Sequence, residues 1–269
     1  MNVSQLFQYP LKSCKASEAT KLEIVATGVR NDRVVAAMDA QDTVLTARTH
    51  PMLLQVSARI TDDQLTLEYP GLEQLKAKLP DKGSVERSFR MFDHDLTGHT
   101  LSSEVDLWIS DVLRTDAQLI VLKNDERPML ARHNAKEGDI TTLTDASPIH
   151  LLSTASLEEL NRRLGRQFPI HQFRPNVVID GCDPHEEDNW KEVRIGDCVF
   201  EVQMACPRCV LSTINPETGV ADPQSEPLRA WAGYRKAANN KVNFGTYLIP
   251  RKLGVIEVGM EVIVMQAGG

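Results

Sequence analysis

Short apolar runs separated by polar turns dominate the hydrophobic pattern of the chain. Residues 34–38 and 44–47 flank one polar connection, and residues 56–60 and 65–69 flank a second. Apolar or alternating runs of this length, divided by Asp-rich turns, are typical of β-hairpins. The pattern therefore predicts two hairpins in the first part of the chain.

Strands and a few helices are predicted in the second part. The clearest helix covers residues 156–164, where Ser156 and Glu159 form a capping-box pattern and Gly165 supplies a stop. Residues 186–189 look like a solvated turn before Trp190, a candidate core anchor. Shorter helices are predicted at residues 106–115 and 227–237, and strands around glycine turns at residues 191–203 and 255–266.

These elements predict a fold of the α+β class that is predominantly β. Polar, irregular sequence between about residues 115 and 145 suggests a boundary there. We therefore expect two domains, residues 1–120 and 121–269.

Composition and charge narrow the class of protein. The 269 residues carry a net charge of −7 without any block of Lys or Arg, which argues against a nucleic-acid surface. The first residues do not resemble a secretory signal, and no stretch approaches the roughly 20 apolar residues that span a bilayer. We expect a cytoplasmic protein with no membrane or nucleic-acid partner. Five cysteines then read as reduced thiols rather than a disulfide framework.

Cys206 and Cys209 form the most unusual motif, C-P-R-C. A zinc knuckle needs four ligands, but the other cysteines and histidines sit singly, with Cys182 and His185 the nearest alternative pair. A thioredoxin-like dithiol needs a helix directly after the motif, whereas residues 210–214 form a β-branched run without helix character. The sequence therefore does not supply the remaining ligands of a zinc knuckle or the helix of a thioredoxin-like dithiol.

A third hypothesis gives one of the two thiolates a soft metal, with Arg208 balancing the negative charge. Molybdenum bound to a dithiolene pterin accepts one protein thiolate. The alternative is that Cys206 and Cys209 are structural residues, because free cysteines are often buried. The motif alone leaves these hypotheses open.

Eight segments, in order along nearly the whole chain, carry a resemblance: residues 9–15 (YPLKSCK), 31–33 (NDR), 45–48 (LTAR), 153–161 (STASLEELN), 173–181 (FRPNVVIDG), 186–197 (EEDNWKEVRIGD), 205–219 (ACPRCVLSTINPETG) and 244–250 (FGTYLIP). Together they resemble the MOSC family. The similarity is to the branch with an extra N-terminal β-barrel region, which includes the mitochondrial amidoxime reducing component and bacterial YcbX. The resemblance implies an N-terminal β-barrel-like domain followed by a MOSC β-barrel domain.

The resemblance also implies a role for each part of the C-P-R-C motif. Cys209 would be the molybdenum ligand and the catalytic residue, and Cys206 a bystander. Close relatives are expected to have C-S-R-C, so Pro207 departs from the family pattern and lacks both a hydroxyl and a backbone N–H.

The implied cofactor is the molybdenum cofactor, Mo-molybdopterin. Lysine offers a point charge to its phosphate, arginine a bidentate fork, and serine and asparagine neutral hydrogen bonds. The resemblance implies that it is bound by Lys12, Ser13, Arg33, Arg174, Asn176, Arg208 and Cys209. Further candidates for the lining are Arg48, Arg132, Ser153 and Thr154, whereas solvated or structural roles are expected for His94, His99, His171 and His185.

The implied activity is the reduction of N-hydroxylated compounds, namely amidoximes, hydroxylamines and N-hydroxylated bases. The chain shows neither a ferredoxin-type cysteine spacing nor a dinucleotide fingerprint, so we expect electrons from a separate ferredoxin, flavodoxin or flavin reductase. The alternative is a non-catalytic carrier of the molybdenum cofactor or of sulfur, with a persulfide on Cys209.

Overall fold

A computed structural model describes residues 1–80, 84–130, 135–237 and 240–268. Strands predominate in these ranges and helices are few, which confirms the predicted α+β class. In the same ranges, no helix combines the length and apolar character needed to cross a membrane. The α-helices are α1 (Ser103–Leu113), α2 (Thr154–Leu164) and α3 (Leu228–Tyr234).

Twenty strands make up most of the regular structure of the described ranges. In chain order they are β1 (Asn2–Gln8), β2 (Ser17–Ala19), β3 (Lys21–Val25), β4 (Gly28–Val29), β5 (Val35–Met38), β6 (Ser57–Thr61), β7 (Gln64–Glu68), β8 (Leu75–Lys78), β9 (Glu86–Met91), β10 (His94–Thr100), β11 (Gln118–Leu122), β12 (Arg127–Pro128), β13 (Ile140–Thr141), β14 (Ile149–Ser153), β15 (Val177–Asp180), β16 (Trp190–Ile195), β17 (Cys198–Pro207), β18 (Asn243–Lys252), β19 (Gly254–Glu257) and β20 (Val262–Ala267). Short 3-10 helices lie at Pro51–Gln55, Lys123–Asp125, Ile170–Phe173, Glu186–Asn189 and Val210–Thr213.

The largest sheet has eight strands in the order β2-β1-β15-β14-β18-β17-β16-β20. Its strands β14 and β15 are parallel, because the chain crosses back through α2 between them, and the other adjacent pairs are antiparallel. Strand β1, from the start of the chain, lies beside β15. The sheet therefore combines residues from both predicted domains, and the boundary between residues 120 and 121 stays a prediction.

No sheet within the described ranges closes into a barrel. The eight-stranded sheet comes nearest, because its last strand β20 begins next to the start of β1. There a single bridge joins Asn2 to Glu261, and the Val262 N–H donates to the Met1 carbonyl at 2.9 Å. The sheet curves almost into a ring, but no continuous ladder seals it.

Smaller sheets complete the fold, and strands β5, β11, β6, β7 and β8 contribute buried side chains to the largest core. Strands β5-β11-β10-β9 form a four-stranded sheet, and β6-β7-β8 and β19-β3-β4 form three-stranded sheets. Helix α1 packs Val105, Ile109 and Val112 into this core, a spacing that puts all three on one helical face. A second core, on the eight-stranded sheet, contains Trp190, which confirms it as a core anchor.

The two predicted hairpins differ in outcome. Strands β6 and β7 form the second hairpin as predicted, around a turn in which Asp62 is left-handed. The first is confirmed next to its turn, where Met38 bridges Val44 and the Leu45 N–H donates to the Ala37 carbonyl at 2.8 Å, and is wrong for residues 46–47. Leu11 bridges the same edge of β5 at Val35, and β11 pairs along the other edge. Since both edges of β5 are then occupied, residues 46–47 diverge and carry Arg48 elsewhere.

Helix α2 begins earlier than its sequence signals predicted. The N-cap is Ser153 instead of Ser156, and the Ser153 hydroxyl oxygen accepts a hydrogen bond from the Ser156 N–H at 3.1 Å. Glu159 does not reach back as a capping box requires, because its carboxylate binds Arg162 and Arg163. The predicted stop is confirmed, since Gly165 has a φ of 61° at the C-cap.

The prediction of a solvated turn at residues 186–189 was wrong for Glu187, whose side chain is fully buried. The hydroxyls of Ser153 and Ser156 donate to its carboxylate at 3.2 and 2.7 Å. Burial raises the pKa of this carboxyl. These contacts hold the turn against the N-terminus of α2. The hydroxyl of Ser153 is therefore used to cap helix α2 and to bind Glu187.

Gly245 allows two strands of the large sheet to approach closely. Its φ is +75°, and a Cβ built there would lie 2.4 Å from His150 Nε2 and 2.6 Å from the Leu151 carbonyl oxygen. Gly71 has a similar φ of +85° but open space around it. Gly71 is therefore required only for its backbone conformation, whereas Gly245 is required for its conformation and for the space that a Cβ would fill.

We expect Gly71→Ala to lower the free energy of unfolding by about 1–2 kcal/mol, because only the left-handed backbone is penalised. Gly245→Ala should lower it by roughly a further 1–3 kcal/mol, because β14 must move away. Urea unfolding followed by circular dichroism measures both. Equal losses in the two variants would contradict the close approach at Gly245.

Candidate functional site

A cavity opens on one face of the eight-stranded sheet. Tyr247 on β18 lies opposite His150 on β14, and the Asn176 N–H, just before β15, donates to the His150 carbonyl at 2.8 Å. Residues in register on adjacent strands point to the same face of a sheet. Their three side chains therefore form a row along one wall of the cavity.

The structure brings all seven predicted cofactor residues to this cavity. They come from four separate parts of the chain and lie beside Arg48, a further candidate that also lines it. Arg132 lies outside the described residues. The candidates Ser153 and Thr154 and the histidines at positions 94, 99, 171 and 185 do not line the cavity. The seven lining residues are Lys12, Ser13, Arg33, Arg174, Asn176, Arg208 and Cys209.

Asp32, which is 1% exposed, organises one side of the cavity. Its carboxylate accepts hydrogen bonds from the Tyr9 N–H at 2.8 Å and from Asn176 Nδ2 at 3.2 Å, and it forms an ion pair with Arg33. Sequence reasoning included Asp32 in the NDR segment but gave it no role. The sequence did contain a signal for this role, because Asp32 directly precedes Arg33, which was expected to bind the cofactor.

The side-chain amide of Asn176 is fully used by the protein. Its oxygen accepts from Arg33 Nη1 at 3.0 Å and from the His150 N–H at 3.3 Å. Its nitrogen donates to the Phe7 carbonyl and to Asp32, both at 3.2 Å. Since an amide offers two acceptor and two donor positions, these contacts satisfy Asn176 and fix Arg33 beside it.

Tyr9 holds two arginines side by side. The Arg33 and Arg174 guanidinium carbons lie 4.4 and 4.2 Å from the centroid of its buried ring, and its hydroxyl donates to the Pro175 carbonyl at 3.0 Å. Such cation–π contacts offset part of the cost of burying charge. Burial and the neighbouring Arg33 nevertheless lower the pKa of Arg174. The positive charges of Arg33 and Arg174 are therefore not fully compensated by neighbouring negative charges.

Asp145 joins Lys12 and Arg48 at the cavity. Lys12 Nζ donates to Asp145 at 2.5 Å and to the Leu143 carbonyl at 2.7 Å, and Arg48 binds the other carboxylate oxygen of Asp145. Burial would raise the pKa of Asp145, but Lys12 and Arg48 outweigh it and hold that pKa well below its usual range. Sequence reasoning missed this acid, which has no distinctive local motif.

Cys209 is the exposed member of five free cysteines. Burial raises the pKa of Cys14 and of Cys182 to about 11, which keeps both protonated. Beside Cys209 lies Arg48, which interacts with its thiol. Burial would lower the pKa of Arg48, but Asp145 and Cys209 raise it. The accessible thiol of Cys209 thus lies in a cationic environment.

Cys206 has a contact that the resemblance did not imply. It is buried, and its sulfur accepts a hydrogen bond from Arg208 Nη1 at 3.0 Å. Arg208 Nη2 donates to the Phe173 carbonyl at 2.9 Å. Cys206 therefore helps to fix the arginine next to Cys209. Pro207 ends β17 between the two cysteines and lines the cavity without a backbone donor.

A single 3-10 turn, Val210–Thr213, follows Cys209, and these residues do not form the α-helix that a thioredoxin-like dithiol needs. Cys209 is its N-cap, and the Cys209 carbonyl accepts from the N–H and the hydroxyl of Ser212 at 3.0 and 2.8 Å. The helix stops after one turn, where Ile214 bridges Ala221. Local hydrogen bonds to Ser212 thus override the β-branched composition.

Three lining residues adopt a left-handed backbone that is costly for residues other than glycine. The φ angles are 72° at Ser13, 50° at Arg33 and 58° at Arg174. Such conformations persist only where the surroundings impose them, and they concentrate at functional sites. Here they turn the side chains of three separate loops toward one cavity.

The donors of the cavity fit an anionic ligand with several acceptors. Five cationic side chains line it, with only Asp145 and the adjacent Asp32 as counter-charges. Arg174 Nη2, Arg208 Nε and His150 Nδ1 are buried without a hydrogen-bond partner. Buried polar groups are normally paired, so a ligand is expected to satisfy these atoms. A pterin that carries a phosphate has the charge and polar edges required.

A metal held by protein ligands alone needs several His, Cys, Asp or Glu side chains close together. Among the residues that the structure describes, no group of three or more His, Cys, Asp or Glu side chains is arranged to hold a metal ion. His150 stays neutral near pH 7, because burial and Arg208 lower its pKa to about 3.

Comparison with known families accounts for both parts of the chain. Residues 1–116 match the MOSC N-terminal beta barrel domain, and residues 138–263 match the MOSC domain. Mitochondrial amidoxime reducing component 2 of Bos taurus is 35% identical over 283 residues, which cover 98% of this chain and 83% of the relative. The chain belongs to the MOSC family.

Other relatives of this MOSC protein have similar names. Mitochondrial amidoxime-reducing component 1 of Homo sapiens is 33% identical over 280 residues, covering 98% of this chain and 82% of the relative. Among solved structures, the YUAD protein from Bacillus subtilis has a TM-score of 0.45 and 10% identity, covering 97% of this chain and 93% of that one.

We expect Asp32→Asn to lower the free energy of unfolding by about 3–5 kcal/mol, because it leaves Arg33 buried without its counter-charge. As a matched control, Glu23→Gln removes the carboxylate that pairs with exposed Arg30 and should cost only about 0–1 kcal/mol. Urea unfolding at pH 7 compares them. A loss in Asp32→Asn no greater than in the control would contradict the organising role of Asp32.

Proposed function

We propose that this MOSC protein binds the molybdenum cofactor in the cavity, with Cys209 as the metal ligand, and reduces N-hydroxylated compounds. One observation carries the proposal: an exposed thiol lies beside a cavity with surplus cations and unpartnered buried donors. The relatives named amidoxime reducing components support the reaction class.

Lys12, Arg33 and Arg174 would bind the phosphate, since together they offer a point charge and two guanidinium forks. Ser13 can still donate its hydroxyl proton, because its oxygen accepts from the Ala47 N–H at 3.1 Å. Asn176 acts through Arg33, because its own amide is already saturated. Arg208 would donate through its free Nε beside the Cys209 sulfur.

The cofactor, when bound, supplies the two-electron chemistry. The net reaction converts an N–OH group, two electrons and two protons to N–H and water. Near neutral pH, Asp145 is ionised, because burial would raise its pKa but Lys12 and Arg48 outweigh burial and lower it. His150 is neutral, because burial and Arg208 lower its pKa. Neither group is a proton donor near pH 7, so we propose that the two protons arrive through water.

The metal content of two cysteine variants tests the role of Cys209. In cells that make the cofactor, Cys209→Ala should lose molybdenum and Cys206→Ala should keep it, because only the exposed thiol faces the cavity. Elemental analysis and pterin fluorescence of purified protein measure both. Molybdenum absent from the wild type, or retained in full by Cys209→Ala, would overturn the proposal. Equal zinc losses in both variants would instead indicate a zinc site.

A carrier of the molybdenum cofactor or of a persulfide is the second candidate, because the exposure of Cys209 also suits transfer chemistry. The unpartnered Arg174 and Arg208 donors favour stable cofactor binding, since a persulfide carrier does not need a phosphate pocket. We therefore place reduction first.

Separate electron delivery gives a second test. With chemically reduced viologen as donor, the molybdenum-loaded chain should convert an amidoxime to the amidine, and with NADH alone it should not. Chromatography of the amidine measures the reaction. Turnover with NADH alone would contradict a separate ferredoxin, flavodoxin or flavin reductase. No reduction with viologen would favour the carrier.

The cellular location belongs to the same proposal. The cytoplasm stays the predicted location of this chain. The names of the relatives place those proteins in mitochondria. In either case a small N-hydroxylated substrate and a redox protein are the partners that the activity requires.

A further inference from the structure

Phe92 is an aromatic residue whose position the cofactor site does not explain. It occupies the two-residue turn between β9 and β10, where Met91 pairs with His94. Its φ is 53°, in a turn that favours Asn, Asp or Gly. A bulky residue with this backbone is a genuine outlier, and Phe92 is still 41% exposed. Core burial therefore does not account for the phenylalanine.

The hairpin holds Phe92 in a defined place. Phe89 and Met91 are buried in a cluster that contains Leu143, one of the residues that line the cavity. Arg90 Nε donates to the Phe92 carbonyl at 3.1 Å, and the Arg90 N–H donates to the Asp42 carbonyl at 2.7 Å. The turn is thus anchored to the core and to a neighbouring loop.

The Phe92 ring covers an ion cluster at the edge of the cavity. Its centroid lies 5.3 Å from Lys12 Nζ and 5.1 Å from the Arg48 guanidinium carbon. Lys12 and Arg48 line the cavity together with Cys209, whereas Phe92 lies outside the lining and contacts the cavity through these two cations. A substrate that enters past the two cations meets the exposed aromatic ring there.

Asp145 adds a polar contact to the same place. Its side chain is 42% exposed, although it binds both Lys12 and Arg48. An ionised carboxylate has about four lone-pair positions, and these two cations occupy two of them. The amino group of an amidoxime can donate to a remaining one. Ring and carboxylate together match a flat compound with an amino group beside its N–OH group.

We propose that Phe92 is a specificity-determining residue that forms the wall of the substrate subsite and favours planar, conjugated N-hydroxylated amidines over small aliphatic ones. This inference rests on the proposed reductase function. An aromatic ring that carries the C=N–OH group stacks on Phe92 with an offset or edge-to-face geometry, and such pairs contribute beyond simple burial. Aliphatic analogues lose this contact and keep only the polar ones.

Two substrates and three variants test the assignment in the molybdenum-loaded protein. Benzamidoxime and acetamidoxime share the reacting group and differ in the aromatic ring. Phe92→Ala should raise both the calorimetric Kd and the KM for benzamidoxime about tenfold, with kcat unchanged. The same constants for acetamidoxime should not change. Phe92→Trp should restore wild-type values, and Leu107→Ala, which truncates another exposed apolar side chain, should have no effect.

A rise in KM for both substrates, or for neither, would overturn the inference. So would a lower pterin content in Phe92→Ala with unchanged constants for the loaded fraction, because the ring would then serve the ion cluster instead. Direct binding separates this inference from the reductase proposal. Suppose that the wild type reduces neither compound but binds benzamidoxime more tightly than Phe92→Ala does. The subsite is then supported, and the reductase function is contradicted.

Discussion

Five cationic side chains repel one another in one cavity, and the surrounding structure has to hold them together against this repulsion. The whole chain carries a net charge of −7, yet its cavity concentrates positive charge. Two carboxylates, Asp32 and Asp145, and one aromatic ring, Tyr9, keep the cations together. The compensation is incomplete, because burial and Arg33 still lower the pKa of Arg174. The cavity thus has an excess of positive charge that a bound anion would neutralise.

Some of the strained backbone of the chain coincides with the concentrated charge, although other left-handed residues, such as Arg114 and Ser225, lie outside the cavity. Ser13, Arg33 and Arg174 line the cavity and have left-handed backbones, and Phe92 adopts one over the ion cluster. Elsewhere the eight-stranded sheet supplies a rigid floor, because Gly245 lets β18 approach His150 without a side chain between them. The regular sheet fixes the spacing of the residues on the cavity wall, and the strained loops orient the charged side chains toward the cavity.

Much of this site could be predicted from the sequence, because the residues that bind a ligand keep recognisable neighbours along the chain. Lys12, Arg33 and Arg174 fall in such segments, and all line the cavity. Their counter-charges were missed for a physical reason: Asp145 meets Lys12 across 133 positions, a pairing that only tertiary structure creates. Local signals also failed to predict the end of the first hairpin, because Leu11, which is distant in sequence, already occupies the edge of β5 where residues 46–47 would pair.

The pairing of β1 with β15 has a consequence for how the protein matures. These strands join residues 2–8 to residues 177–180, and Cys209 follows later still. Contacts so distant in sequence form late, because the loop between them must close first. During synthesis the chain therefore holds Lys12 long before it holds Cys209. An anion held by residues from both ends of this span could therefore enter its complete site only after Cys209 had left the ribosome.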